Sequence, residues 1–221
     1  MISAIVFDYD GTLMDTYPLM TRLMVRLCAS RNLRVEEEWI YRLLKDSADT
    51  CFRTVSGLLG ETPESLKAEF HVLETGTEEE VRPVEGMDRV IERIRGRIPW
   101  FVLTHRRTDT IRGLEALGDS PADMITGDMG YPRKPDPAGL LALMEKWHTD
   151  RGDRVLMVGD RPLDVECGLR AGTRTCLVDR EGYFPRQACT FRVRSGLELL
   201  PILDMEIIAG EDPACEGDLH A

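Results

Sequence analysis

Two aspartates separated by a single residue, Asp8 and Asp10 in Phe7-Asp8-Tyr9-Asp10-Gly11-Thr12-Leu13, are the first side chains here whose type and spacing could do chemistry. In extended backbone, residues two apart point the same way and lie roughly 6 to 7 Å apart, so two carboxylates can flank one atom. Carboxylates that close need a counter-charge to stay ionised together, and a cation is expected beside them. Gly11 permits a turn that a Cβ would resist, and Thr12 can cap the segment after it.

Later positions offer complementary chemistry. Thr104 ends the apolar run Trp100-Phe101-Val102-Leu103. Asp160 follows Val155-Leu156-Met157-Val158-Gly159, with Asp164 four residues further along the same helical face. Lys134, in Arg133-Lys134-Pro135-Asp136-Pro137, is the natural counter-charge for an anion. Thr104 and the N–H groups of the turn after it can bond phosphate oxygens. Four acids in one crevice require a divalent cation, and oxygen ligands without clustered His or Cys favour Mg²⁺ over zinc.

The elements that must bring these residues together can be read in order. Ile2 to Val6 is a short buried strand ending at the acids. Residues 15 to 82 are helical: Leu19, Leu23, Met24 and Leu27, then Ile40, Leu43 and Leu44, recur at three- and four-residue intervals, and Thr62-Pro63 starts a further helix. Arg82-Pro83 is the exit from this block, because the residue before proline is pushed out of the helical region. Strands and helices then alternate: a helix over Val90 to Ile94, the strand ending at Thr104, and a helix marked by Ile111, Leu114 and Leu117. Met124-Ile125-Thr126 is a strand, Leu140 to Met144 a helix, Val155 to Val158 a strand and Leu163 to Ala171 a helix. Thr175-Cys176-Leu177-Val178 is read as the final strand. Strands separated by helices imply parallel β-α-β units, an α/β sheet carrying a helical insert. Such sheets bind ligands at the carboxyl ends of their strands, where Asp8, Thr104 and Asp160 fall.

Composition narrows the partners. The chain has 221 residues and a net charge of −11, which disfavours nonspecific nucleic-acid or anionic-membrane binding. No stretch has the roughly 18 apolar residues of a membrane span, and residues 1 to 30 carry Asp8, Asp10 and Asp15 instead of a signal-peptide core, so a cytoplasmic protein is expected. Six scattered cysteines without a C-x-x-C pair point to reduced, buried thiols.

Taken together, the segments resemble the four motifs of the haloacid dehalogenase-like hydrolase superfamily, phosphatase branch: Asp8-Tyr9-Asp10-Gly11-Thr12, Thr104 after an apolar strand, Lys134 before Pro-Asp-Pro, and Gly159-Asp160 with Asp164. They span residues 7 to 172, and the helical insert is similar to the small cap of the phosphoglycolate phosphatase and β-phosphoglucomutase relatives. The resemblance implies a Rossmann-like core of residues 1–14 and 83–208 and a cap of residues 15–82; residues 209–221, with Gly, Pro and several acids and no periodicity, are expected to be a mobile tail. It implies Asp8 as nucleophile forming an aspartyl phosphate, and Asp10 as general acid and base. Mg²⁺ would be held by Asp8, Asp160, Asp164 and the backbone carbonyl of Asp10, and Thr104, Lys134 and Gly11 would bind the phosphoryl group of a small phosphorylated metabolite.

The acid at Asp10 disfavours carbon-halogen cleavage. Phosphatase and phosphomutase share all four motifs and stay open at this stage. A non-catalytic phosphate-binding scaffold ranks lower because both Asp8 and Asp10 are present, and a phospho-acceptor signalling module because it would be much shorter and need no helical insert after its first strand. His105-Arg106-Arg107 departs from the Asn or Ser and small residue often found after the threonine. These residues either extend the anion site or begin a solvated helix. His105, Arg106 and Arg53 are the specificity candidates, with Asp15, Tyr17, Ser56 and Gly57 as further contacts, and Cys51 to Gly57 is expected to form a loop facing the core. Asp15 to Pro18 and Arg82 to Gly86 are the expected hinges.

Overall fold

The computed structural model describes residues 1–149 and 152–208. The tail expected over 209–221 lies outside the described residues. Six short strands, β1 (Ala4–Phe7), β2 (Trp100–Leu103), β3 (Asp123–Ile125), β4 (Val155–Gly159), β5 (Arg174–Val178) and β6 (Phe191–Val193), form one parallel sheet in the order β3-β2-β1-β4-β5-β6. This is the α/β fold expected, with the strand order reversing at β1, where a crevice opens at the strand ends.

The period of two along β1 decides which side chain feeds which layer. Ile5 and Phe7 enter one apolar cluster, with Met87, Val90 and Ile91 of α5 (Met87–Ile94) and Leu199 and Leu203 of α8 (Gly196–Ile208). Ala4 and Val6 enter the other, with Leu140 and Leu143 of α6 (Ala138–Lys146) and Cys167 of α7 (Pro162–Arg170). Register then aligns the strand ends. Phe7 pairs with Val158, the Asp8 N–H donates to the Val158 carbonyl at 2.8 Å, and Asp8 and Asp160 leave the sheet side by side.

Between β1 and β2 the chain forms four inserted helices, α1 (Tyr17–Ala29), α2 (Glu37–Asp46), α3 (Ala48–Leu59) and α4 (Pro63–Gly76). Their apolar faces, including Leu23, Met24, Ile40, Phe52 and Phe70, join the cluster that holds Phe7. Thr62 caps α4 by accepting from Ser65 N–H, with Pro63 in the first turn as the sequence indicates. The entry and exit strands of the insert run side by side, Asp15 N–H to the Arg82 carbonyl at 2.8 Å and Val84 N–H to the Leu13 carbonyl at 2.9 Å.

Three local expectations are corrected. Cys51 to Gly57 is not a loop: it is the middle of α3, capped by Ser47, with Cys51, Phe52, Val55 and Ser56 turned inward at helical spacing. Ile111, Leu114 and Leu117 do not lie on an α-helix. Only the 3₁₀ turns Thr108–Thr110 and Leu114–Leu117 form, interrupted by Gly113 and ended by Gly118, both in left-handed conformation. The sheet also continues beyond Val178, through β6 to α8. A three-residue strand containing Arg192 is too short to show alternation. Among the described residues no helix is long and apolar enough to cross a membrane, and the described cysteines are free thiols.

Candidate active site

The crevice at the carboxyl ends of β1, β2 and β4 collects Asp8, Asp10, Thr104, Lys134, Asp160 and Asp164. Asp8 is buried, its Oδ1 accepting from Tyr9 N–H at 2.8 Å and lying 2.8 Å from Lys134 Nζ. Lys134 is itself buried, 2.7 Å from Asp164 Oδ1, and donates to the Leu103 carbonyl at 2.8 Å. One ammonium thus ties the ends of β1 and β2 to the start of α7. Asp164 Oδ2 accepts the Arg161 N–H at 3.1 Å, and the approach is possible because residue 159 is glycine: a Cβ there would collide with the Asp164 side chain.

Asp8, Asp160 and Asp164 each offer an oxygen within 4.8 Å of the others. Asp8 Oδ2 and Asp160 Oδ1 are buried without a hydrogen-bond partner. Orphaned carboxylate oxygens in a dry centre are costly. Three buried carboxylates converging, two of them with an orphaned oxygen, fit a hard cation that takes oxygen ligands, so the residues suit Mg²⁺. The carboxylate of Asp10 does not join this group. Its Oδ1 accepts from Thr16 Oγ1 at 2.6 Å and from Arg106 Nε and Nη2 at 2.9 and 2.6 Å.

The electrostatics follow from burial. Removal from water raises the Asp160 carboxyl above its ordinary value, against the pull of Lys45 and Arg161, and pushes Asp164 up to about 6 against the pull of Lys134. Burial by itself would lower Lys134, but Asp164 and Asp8 hold it above the ordinary lysine value. His105 is driven down to about 2 by burial and by Lys134, Arg133 and Arg161 nearby, so its imidazole is neutral, with a buried and unpartnered Nε2.

Thr104 Oγ1 accepts the Arg106 N–H at 3.0 Å and fixes the turn after β2. Gly11 donates its N–H to the Met14 carbonyl, at a φ of 69°. Arg106 is no solvated helix start: its guanidinium is buried between Asp10 and Glu74 of α4 and stacks over the Tyr9 ring. Arg107 is exposed. A cavity of about 360 Å³ lies between the insert and the strand ends, with Tyr17, Met20, Phe52 and Phe70 on one side and His105, Arg106, Lys134 and Arg161 on the other. Arg53 is not brought there: it is exposed on α3, its guanidinium turned back to the Asp49 carbonyl and Thr50. Ser56 is buried and bonds the Arg53 carbonyl, Gly57 is exposed, and Asp15 pairs with Arg180.

Sequence reasoning missed Lys45, Glu74 and Arg161. Arg161 could have been suspected from its place beside Asp160. Lys45 and Glu74 stand at helix positions that carry no motif, and only the packing of α2 and α4 reveals them.

Residues 5–178 match the family model described as haloacid dehalogenase-like hydrolase. The chain is 31% identical over 190 residues to the N-acetylmuramic acid 6-phosphate phosphatase of Pseudomonas putida, covering 82% of this chain and 84% of that one. It is 27% identical over 187 residues to the phosphoglycolate phosphatase of Rhodospirillum rubrum, covering 78% and 77%. The crystal structure of a predicted phosphoglycolate phosphatase from Haemophilus somnus superposes with a TM-score of 0.74 at 16% identity, covering 91% of this chain and 97% of that one, a likeness of fold.

Proposed function

The chain belongs to the haloacid dehalogenase-like hydrolases, and from that membership we propose that it is a Mg²⁺-dependent phosphatase acting on a small phosphorylated metabolite through an aspartyl phosphate. The observation that carries this reading is Asp8, held by Lys134, converging with Asp160 and Asp164 so that each offers an oxygen within 4.8 Å of the others. Asp8, Asp160 and Asp164, with the Asp10 carbonyl, would hold the metal. Bound there, Mg²⁺ would supply positive charge to the phosphoryl oxygens and orient the group for in-line attack.

The remaining work belongs to the chain's own side chains. Asp8 attacks phosphorus through an oxygen that carries no proton, and one hard displacement becomes two easier ones. Asp10 gives a proton to the departing alkoxide and then takes one from the water that cleaves the acyl phosphate. With Arg106 and Thr16 on Oδ1, its Oδ2 is the oxygen for that proton. Lys134 and the Thr104 turn keep the phosphoryl group in line, so that positioning and charge supply most of the acceleration. Residues 15–82 act as the cap over a core of 1–14 and 83–208, hinged at the paired strands near Asp15 and Arg82, and closure excludes water.

Hydrolysis is favoured over mutation because the relatives of P. putida and R. rubrum carry phosphatase names. The cavity favours a sugar-sized leaving group over glycolate, since its apolar wall of Phe52 and Phe70 in edge-to-face contact offers a surface for a ring. The test is a panel containing N-acetylmuramic acid 6-phosphate, phosphoglycolate, hexose phosphates and an aryl phosphate, each with Mg²⁺ and with chelator. Metal-dependent phosphate release, fastest from a sugar phosphate, is expected. No metal-dependent release from any member would overturn the reading.

A further inference from the structure

The inserted helices send one side chain into the carboxylate centre that no motif assigns. Lys45, on α2, places Nζ 2.7 Å from Asp160 Oδ2, 3.6 Å from Glu181 and 4.8 Å from the centre of the Tyr17 ring. Its side chain is 4% exposed and that of Asp160 is 0% exposed. Glu181 accepts from Tyr41 Oη at 2.6 Å, a second tie from α2 to the loop after β5. Asp160 is therefore divided between two tasks. Oδ2 holds the insert's ammonium, and Oδ1 stands unpartnered among the three converging carboxylates.

Charge balance gives the division a consequence. Asp8, Asp160 and Asp164 face Lys134, Arg161 and Lys45 in a buried centre, with the partly exposed Glu181 3.6 Å from Lys45. A divalent cation entering alone meets carboxylates already paired with buried cations and lies close to an ammonium, in surroundings that screen poorly. A divalent cation entering with a phosphate dianion leaves the balance unchanged. Withdrawal of Lys45 would remove one of the cations paired with the carboxylates and free an oxygen on Asp160.

We propose that Lys45 is a positioning residue that couples metal to substrate: seated on Asp160, it weakens the binding of Mg²⁺ alone, and a phosphate dianion in the site restores it. This rests on the Mg²⁺ reading above. Linkage makes the effect reciprocal, so Mg²⁺ strengthens phosphate binding by the same factor. The arrangement keeps the closed site unloaded until a phosphorylated ligand arrives.

The test is calorimetric titration of Mg²⁺ into the wild-type protein, Lys45→Met and Lys45→Gln, with and without inorganic phosphate. Two variants are used because methionine leaves Asp160 without a partner and can unfold the protein, whereas glutamine keeps a donor and removes only the charge. Without phosphate, both variants are expected to bind Mg²⁺ at least about tenfold more tightly than wild type. Phosphate is expected to tighten Mg²⁺ binding by a larger factor in wild type than in either variant. A lysine that merely fastens α2 would lower the melting temperature of both variants and leave the Mg²⁺ affinity in place, and that result overturns the proposal. Equal binding by all three proteins overturns the role of Lys45 alone. Binding by none overturns the metal reading and the coupling with it.

Discussion

Arg106 closes on Asp10 through two nitrogens that share one acceptor: Nε at 2.9 Å and Nη2 at 2.6 Å from Oδ1. Its third nitrogen, Nη1, holds Glu74 on α4 at 2.5 Å. The aspartate proposed to handle the proton is thus oriented by a guanidinium that is itself clamped by the insert. Both ends of the crevice follow one design, with Lys45 of α2 on Asp160 and Glu74 of α4 reaching Asp10 through Arg106.

Replacing the guanidinium separates orientation from chemistry. Arg106→Met leaves Asp10 with Thr16 as its partner and Glu74 without one. We expect kcat on a sugar phosphate to fall by roughly 10- to 100-fold, part of the 10²–10⁴ that a positioned acid and base contributes, with a smaller change in KM. Steady-state kinetics decide it. An unchanged kcat would remove Arg106 from the proton-transfer machinery.

Asp8→Asn preserves the local bonds and removes the proposed nucleophile. The asparagine side chain can still accept from Tyr9 N–H, and Lys134 keeps Asp164 as its ion partner. Turnover of an aryl phosphate is expected to drop by at least about 10⁴, the scale seen when a nucleophile is deleted, with the circular-dichroism spectrum retained. Residual turnover within tenfold of wild type would sink the assignment.

The sheet and the acids were legible because they depend on local signals. Apolar runs of strand length end in Asp8, Thr104 and Gly159-Asp160, and a parallel sheet has one edge at which those ends can meet. The contribution of the insert was illegible for the opposite reason. Lys45 reaches Asp160 across 115 positions, and Glu74 reaches Arg106 across 32. The sequence around each reads as ordinary amphipathic helix. Arg53, chosen from the same block, occupies the outer face of α3, since the loop predicted around it is a helix with Cys51, Phe52 and Val55 inside. The Arg106-Arg107 pair shows the limit most sharply. Two adjacent arginines have opposite fates, one buried against Asp10 and one in solvent, decided by where Glu74 lies.

Gly11 is constrained twice over, by conformation and by neighbours. Its φ is 69°, and a Cβ would run into the Tyr17 ring and sit 2.6 Å from Asp160 Oδ2. Gly11→Ala is expected to cost about 1–3 kcal/mol of stability through strain and overpacking, and to weaken Mg²⁺ binding by displacing Asp160. Urea unfolding and a Mg²⁺ titration measure the two effects. A variant of wild-type stability would show that the turn can relax.

His105 gives a pH dependence whose sign can be worked out. Its folded value is about 2, against about 6.5 in an unfolded chain. Above pH 6.5 both states are neutral at this residue and it contributes nothing that varies. Below pH 6.5 the unfolded chain takes up a proton that the folded one refuses, so stability at this site falls by up to about 1.4 kcal/mol per pH unit, continuing toward the folded value. Asp164, raised to about 6, works the other way between about pH 6 and the ordinary carboxylate range, because the folded state binds its proton first. Comparison with His105→Gln removes that term, since Asp164 is present in both proteins. The stability of wild type relative to His105→Gln, from urea unfolding at pH 7, 6 and 5 in the absence of metal, is therefore expected to decline steadily below pH 6.5 and to be level above it. A difference that stays constant down to pH 5 would mean that the folded protein accepts the proton on His105, and that the cations around it do not govern its charge.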